Sequence, residues 1–193
     1  MTGMNTSRMT QPQKTGFRPG TITLAMLTAG ALMVAHSSKA QGARQPELPS
    51  PLCDSVQVPE DSVMAFHAYA IGVQVYQWNG ASWVFIEPQA KLYADSGYRG
   101  LVGTHFRGPT WQSNSGSKVV GLRMASCAPD PNSIAWLKLS GMSSQGPGMF
   151  DGVDFIQRVN TVGGVAPSTP GTTSGEMASV PYTAEYFFYR ARD

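Results

Sequence analysis

The sequence predicts an all-β fold: a single-domain antiparallel β-sandwich or barrel with little helix. Three observations carry this reading. From residue 62 onward, short apolar runs alternate with turn residues at roughly ten-residue spacing, as strands do in sandwiches and barrels. Within the runs, apolar and polar side chains alternate with a period of two, so each run has an inner and an outer face. No window sustains the 3.6-residue period of an amphipathic helix.

The first unit is "GVQVYQWNGASWVFIEP", residues 72–88. Val73, Val75 and Gln77 share one face; Gln74, Tyr76 and Trp78 share the other. Asn79-Gly80 tolerates positive φ, so the expected connection is a two-residue type I′ hairpin into 82–87. Further strands are expected over 90–94, 101–107, 110–113, 118–124, 133–139, 154–160 and 182–189, separated by Gly, Pro, Ser, Asn and Asp as turns require. In "GTHFRGPTWQSNSGSKVVG", residues 103–121, Gly108-Pro109 makes a corner and Asn114-Ser115-Gly116 a second turn. That stretch reads as an antiparallel meander. The polar segment 165–179, "VAPSTPGTTSGEMAS", is expected to be a loop, long enough to be functional or mobile.

The chain has 193 residues, and the first forty read as a leader. Arg8, Lys14 and Arg18 precede an apolar run, "TITLAMLTAGALMVA", that is short for a membrane span of about 20 residues. Ser38 and Ala40 then supply the small residues of a cleavage site. This order is that of a secretory signal peptide. The expected organisation is signal peptide 1–40, linker and entry segment 41–61, and all-β domain 62–193. The expected localisation is secreted, extracellular or periplasmic, with no membrane span after leader removal. The 14 basic and 12 acidic side chains give +2, but four bases and no acids lie in the leader, so the rest carries 10 − 12 = −2. Scattered cations on a nearly neutral chain argue against nucleic acid as a partner. Cys53 and Cys127 are the only cysteines, and in an exported chain an even pair predicts a disulfide.

Chemistry-bearing residues are sparse. No G-x-S-x-G elbow is present. His67 and His105 are the histidines after the leader; His105 is the better candidate acid/base because polar residues surround it. By period two, His105 shares a face with Arg107, an anion-holding candidate. Trp111 is a candidate stacking platform. In "DFIQRVN", Gln157, Arg158 and Asn160 are candidate ligand contacts, with Arg158 and Asn160 expected on one face. Trp83 and Trp136 read as core. The histidine spacing supports no zinc site, and "DGVD", 151–154, reads as an Asx-type turn rather than a calcium loop. "GPGMFDG", 146–152, has the wrong spacing and context for a dinucleotide loop. No metal and no cofactor is expected.

Several motifs carry a resemblance. "GVQVYQW", "SWVFIEPQAKL", "GTHFRGPTW", "GSKVVG", "AWLKL", "DFIQRVNTVGGVAP" and "VPYTAEYFFYRA" together resemble a family of exported bacterial and fungal proteins, the domain of unknown function 3455. The likeness runs over about residues 63–191. It implies an all-β secreted domain with no established activity. Some fungal members carry a malate dehydrogenase label, which does not transfer because the dinucleotide fingerprint is missing. Many members have a cysteine just after the position of Tyr76, paired with one after the Gly-Gly-x-Ala-Pro segment. Here Gln77 and a cysteine-free loop stand there. Lys138 replaces an apolar residue and suggests a wetter strand face, and Ser115 stands where many members have Asp.

The expected function is a binding or interaction module for an extracellular glycan or envelope component. The alternatives are a secreted hydrolase or lyase using His105 as acid/base, and a structural or stress-related envelope protein.

Overall fold

The computed structural model describes Gly16 and residues 45–192; apart from Gly16, the expected signal peptide lies outside the described residues. Eight strands form one closed antiparallel barrel in sequence order: β1 (Val63–Trp78), β2 (Trp83–Tyr93), β3 (Leu101–Phe106), β4 (Thr110–Ser113), β5 (Lys118–Cys127), β6 (Trp136–Gln145), β7 (Phe155–Gly163) and β8 (Met177–Arg190). Each strand pairs with its successor, and β8 returns to pair with β1 from Val63↔Arg190 to Gln77↔Met177. Closure gives every strand a partner on both sides over part of its length. The only helical element among the described residues is a 3-10 turn at Asp54–Val56.

The strands are longer than the period-two runs suggested. Segments 82–87 and 90–94 are one strand through Pro88, which pairs with Gln74. Pairing of β2 with β3 begins only at Ala90, so the proline's missing N–H falls where one side of β2 has no partner. The connection at Asn79-Gly80 is not a two-residue type I′ turn. Trp78 pairs with Trp83 across a four-residue loop, and Gly80 alone has positive φ, at 98°. Asn79 organises the loop by accepting the amides of Ala81 and Ser82 on Oδ1. Residue 133 makes only an isolated bridge to Gly164; β6 proper starts at Trp136.

Tight closure needs small residues and bulges. A Cβ at Gly72 or Gly103 would run into the carbonyl oxygen of Gln89 or Gln112 on the adjacent strand. Registers shift at Val75/Tyr76, Arg123/Ala125 and Val159/Val162, among others.

Two cores result. The first lies inside the barrel. Ala68, Ala70, Leu92, Ile156, Ala184 and Phe188 are inward residues of their strands. One end of the barrel is plugged by Phe150, fully buried, which comes from the 146–154 connection and packs on Phe188 at 4.8 Å and Phe66 at 6.5 Å. The "GPGMFDG" motif is therefore a stopper for the barrel. The Phe150 amide donates to Ser117 Oγ, inside a small hydroxyl cluster with Ser113.

The second core is outside the barrel. Cys53, Val56 and Val58 pack on Cys127, Trp136, Val159, Phe187 and Tyr189, so the second half of segment 41–61 is a packed cover over the outer wall. The predicted disulfide joins Cys53 to Cys127. Lys138 holds the same cover: its ammonium donates to the Gln57 carbonyl at 2.9 Å. Its aliphatic stem crosses a half-buried surface, which lets a lysine replace an apolar residue there.

Candidate functional site

The site grows from strand faces that turn inward. On β3, Gly103 and His105 are buried and Thr104 is exposed. Antiparallel register sets Trp111 of β4 opposite His105, and the two rings stack face to face, 4.3 Å apart and within 8° of parallel. From β8, Tyr186 meets both rings edge-on at 5.2 Å and 5.4 Å. His105 Nδ1 lies 2.9 Å from the Thr110 carbonyl. A carbonyl only accepts, so Nδ1 carries the proton and Nε2 is the bare nitrogen. Burial pushes the imidazole pKa down to about 3, and the neighbouring Arg158 charge adds to the shift; the hydrogen bond to Thr110 opposes it without winning.

Arg158 comes from β7. Its Nε and Nη2 both donate to the Ala135 carbonyl, at 3.1 Å and 2.7 Å. Among the described residues the ion pairs are His67–Glu185, Arg99–Asp95 and Arg107–Glu87, and Arg158 is in none of them. Its charge is felt at Tyr76, His105, Tyr182 and Tyr186, which places it within the same polar cluster.

These groups line a cavity of about 580 Å³ at the end of the barrel opposite Phe150. Its floor includes Trp111, His105, Tyr186 and Leu139; its walls include Gln74, Tyr76, Ile86, Pro88, Leu137 and Arg158. The mouth is framed by Phe85, by the Gly108-Pro109 corner, by Ala128 and Pro131, and by Val165 and Ala166, with Arg123 also on the lining. No Asp or Glu lines it. Eight strands leave room for one small ligand once inward side chains stop filling the lumen. The volume is in the range of small-molecule sites.

The floor is also polar in a particular way. Gln74 Nε2, Trp111 Nε1, Tyr182 Oη and Tyr186 Oη are buried and make no well-formed hydrogen bond to protein, although Tyr182 lies close enough to Tyr186 and Gln74, and Tyr186 to Arg158, for weak polar contact. Burial raises both tyrosine pKa values, so both phenols keep their protons. Buried polar groups ordinarily find partners. Here several lie behind the cavity wall without one.

The loop 164–176 is a fixed part of the mouth. Tyr76 Oη donates to the Gly164 carbonyl at 2.7 Å, and Trp83 Nε1 donates to Thr169 at 2.9 Å. Glu176 accepts the amide and hydroxyl of Thr172, which lowers its carboxyl pKa. Residues 177–179, expected in this loop, already belong to β8.

The structure brings together three of the six site residues read from the sequence: His105, Trp111 and Arg158. Trp111 is 1% exposed, so it is a floor and not a surface platform. The other three lie elsewhere. Strand β3 ends at Phe106, so the period-two phase fails at Arg107, which is exposed and bonds Glu87 at 3.1 Å outside the barrel. Gln157 faces the outer core, donating to the Val56 carbonyl and accepting from Tyr189 Oη, both at 2.7 Å. Asn160 sits at a bulge with φ of 50°, which breaks the alternation with Arg158. It turns outward to donate to Glu185, which also bonds His67 at 2.8 Å. His67 is thus on the outer wall, stacked on Phe187.

Gln74, Tyr76, Tyr182 and Tyr186 were not singled out as site residues. A signal for them existed: Gln74 and Tyr76 share a face in "GVQVYQW", and Tyr182, Ala184, Tyr186 and Phe188 fall at period two in "YTAEYFFY". Among the described residues, no group of three or more His, Cys, Asp or Glu is placed to hold a metal ion. Asp154 of the 151–154 turn accepts the Ala191 amide.

The model of the family described as "Protein of unknown function (DUF3455)" matches residues 59–190. The chain belongs to the DUF3455 family. The matched span covers all eight strands and every residue of the cavity. It starts after Cys53 and the 3-10 turn, so the cover segment and one half of the disulfide lie outside it. No curated protein and no solved structure matches the chain.

Proposed function

We propose that this DUF3455 protein is an exported binding protein that holds one small, largely apolar molecule inside its barrel. The observation that carries this reading is the cavity of about 580 Å³, lined largely by apolar side chains, with Arg158 on its wall outside every ion pair among the described residues. Export is supported by the basic, apolar and small-residue order of residues 1–40 and by the disulfide, which persists in oxidising compartments. Among the described residues, no helix is long and apolar enough to cross a membrane.

Binding is favoured over catalysis by the state of His105. A general acid or base works best with a pKa near the working pH. A pKa of about 3 leaves His105 with no second proton to donate near neutrality and makes it a weak base. A small envelope-derived or extracellular molecule is favoured over a glycan chain. Glycan stacking needs exposed aromatic faces, whereas Trp111 is buried and Trp83 is engaged in fixing the 164–176 loop.

Titration with N-phenylnaphthylamine, a neutral apolar fluorophore, is expected to show saturable binding at one site per chain. Ala166→Trp, which fills the mouth from a half-buried loop position, is expected to lower that affinity at least tenfold while far-ultraviolet circular dichroism stays unchanged. Absence of saturable binding by the wild-type protein, or an Ala166→Trp variant that binds like wild type, would overturn the reading.

A further inference from the structure

We propose that the ligand of the barrel is a singly charged apolar carboxylate, held with its carboxylate against Arg158 and its apolar body along Ile86, Pro88, Leu137 and Leu139 towards the mouth. The inference rests on the binding reading above and adds the chemical class.

The first argument is charge. Arg158 is a permanent cation, half-buried, and outside every ion pair among the described residues. Its two bonds to the Ala135 carbonyl aim the guanidinium but do not neutralise it. A second cation, Arg123, lies on the lining, no carboxylate does, and His105 is neutral. Removing a cation from water without a counter-charge is costly, so such a site favours an anion.

The second argument is hydrogen-bonding type. The unpartnered polar groups behind the wall at Arg158 include two that only donate, the Gln74 amide N–H and the Trp111 indole N–H, and two phenols, Tyr182 and Tyr186, that can donate; none is open to the cavity, so they add positive ends of dipoles around the guanidinium rather than direct ligand bonds. A carboxylate only accepts, with about four lone-pair sites on two oxygens. An alcohol brings no charge to offset the guanidinium, and an amine brings one of the wrong sign. Arg123 is exposed at the rim, so the embedded charge is the single guanidinium of Arg158, which matches a monoanion. The third argument is shape. Apolar side chains line the walls above the polar floor, so the molecule has a charged end and an apolar body.

The test is displacement of N-phenylnaphthylamine by matched pairs: dodecanoate against dodecanol, and naphthoate against naphthylmethanol. Each acid is expected to bind at least about tenfold more tightly than its alcohol, the scale of one charge-assisted hydrogen bond. In Arg158→Met the ratio of acid to alcohol affinity is expected to fall to about one. Arg158→Lys, which keeps the charge, is expected to retain part of the acid preference. Because the readout is a ratio between two ligands on one protein, general destabilisation of a variant leaves it interpretable. Equal binding of acids and alcohols, or an acid preference unchanged in Arg158→Met, would sink the carboxylate assignment and leave a neutral-ligand barrel standing. Failure of the fluorophore and of all four competitors would remove the binding reading itself.

Discussion

Reduction of the Cys53–Cys127 bridge is expected to lower the unfolding free energy by about 4.5 kcal/mol. The bridge spans 74 positions. A closed loop of that length removes about that much chain entropy from the unfolded state. The native state also loses an anchor, because Cys53 fixes the cover formed by Val56 and Val58 over Trp136, Val159 and Phe187. The effect should therefore have a local component. In Cys53→Ser/Cys127→Ser, amide hydrogen exchange should rise first in residues 48–58 and on the β6–β7 wall. The barrel interior and the ligand cavity should stay protected, since they are built from other strand faces. Equilibrium denaturation with and without reductant measures the loss. A loss below about 1 kcal/mol would mean that the cover is held by packing alone.

The second large effect is acid sensitivity from His105. Its folded pKa, about 3, lies below the ordinary 6.5 because burial disfavours the imidazolium. With a depressed folded pKa, the unfolded state binds the proton more readily. Stability from this group is fully present above pH 6.5 and is lost as pH falls towards 3. The shift of about 3.5 pH units corresponds to on the order of 5 kcal/mol across that window, or about 1.4 kcal/mol per pH unit. Glu185, Glu87 and Glu176 have lowered carboxyl pKa values, so their stabilising effects are lost at the acid end of the range, below 4.5. Across the interval from pH 6.5 to 4.5 His105 accounts for about 2 kcal/mol, read as the difference between wild type and a variant that lacks the imidazole. His105→Asn keeps an N–H for the Thr110 carbonyl and does not titrate. Its stability should fall by about 2 kcal/mol less than that of wild type across that interval, whatever its absolute value. A variant with the same slope as wild type would show that His105 is not the group that takes up the proton.

Much of the fold was open to reading from local pattern. Alternation in "GVQVYQW" and punctuation by Gly108-Pro109 and Asn114–Gly116 are properties of neighbouring residues, and strands follow from them directly. Barrel closure was not readable, because it depends on pairs such as Tyr69↔Glu185 that are far apart in the chain and leave no local signature. The same divide runs through the site. His105 and Trp111 could be found because they sit in one meander, two strands joined by one corner. Arg158 was placed with Asn160 by simple alternation, and the left-handed backbone at Asn160 defeated that rule. Arg107 was misplaced because a strand that ends one residue early reverses the expected face. The cover segment looked like a linker because its apolar residues are few. A disulfide and the Lys138 and Gln157 bonds to its carbonyls hold it together with the packing of Val56 and Val58.

The central claim is that a small molecule sits inside the barrel, above Trp111 and beside Arg158. Intermolecular nuclear Overhauser effects between bound naphthoate and assigned protein protons test it most directly. The account predicts contacts to the ring protons of Trp111 and Tyr186 and to the methyl groups of Leu137 and Leu139. Contacts confined to outward residues, such as Trp78 and Trp83 at the β1–β2 loop or His67 and Phe187 on the outer wall, would contradict it.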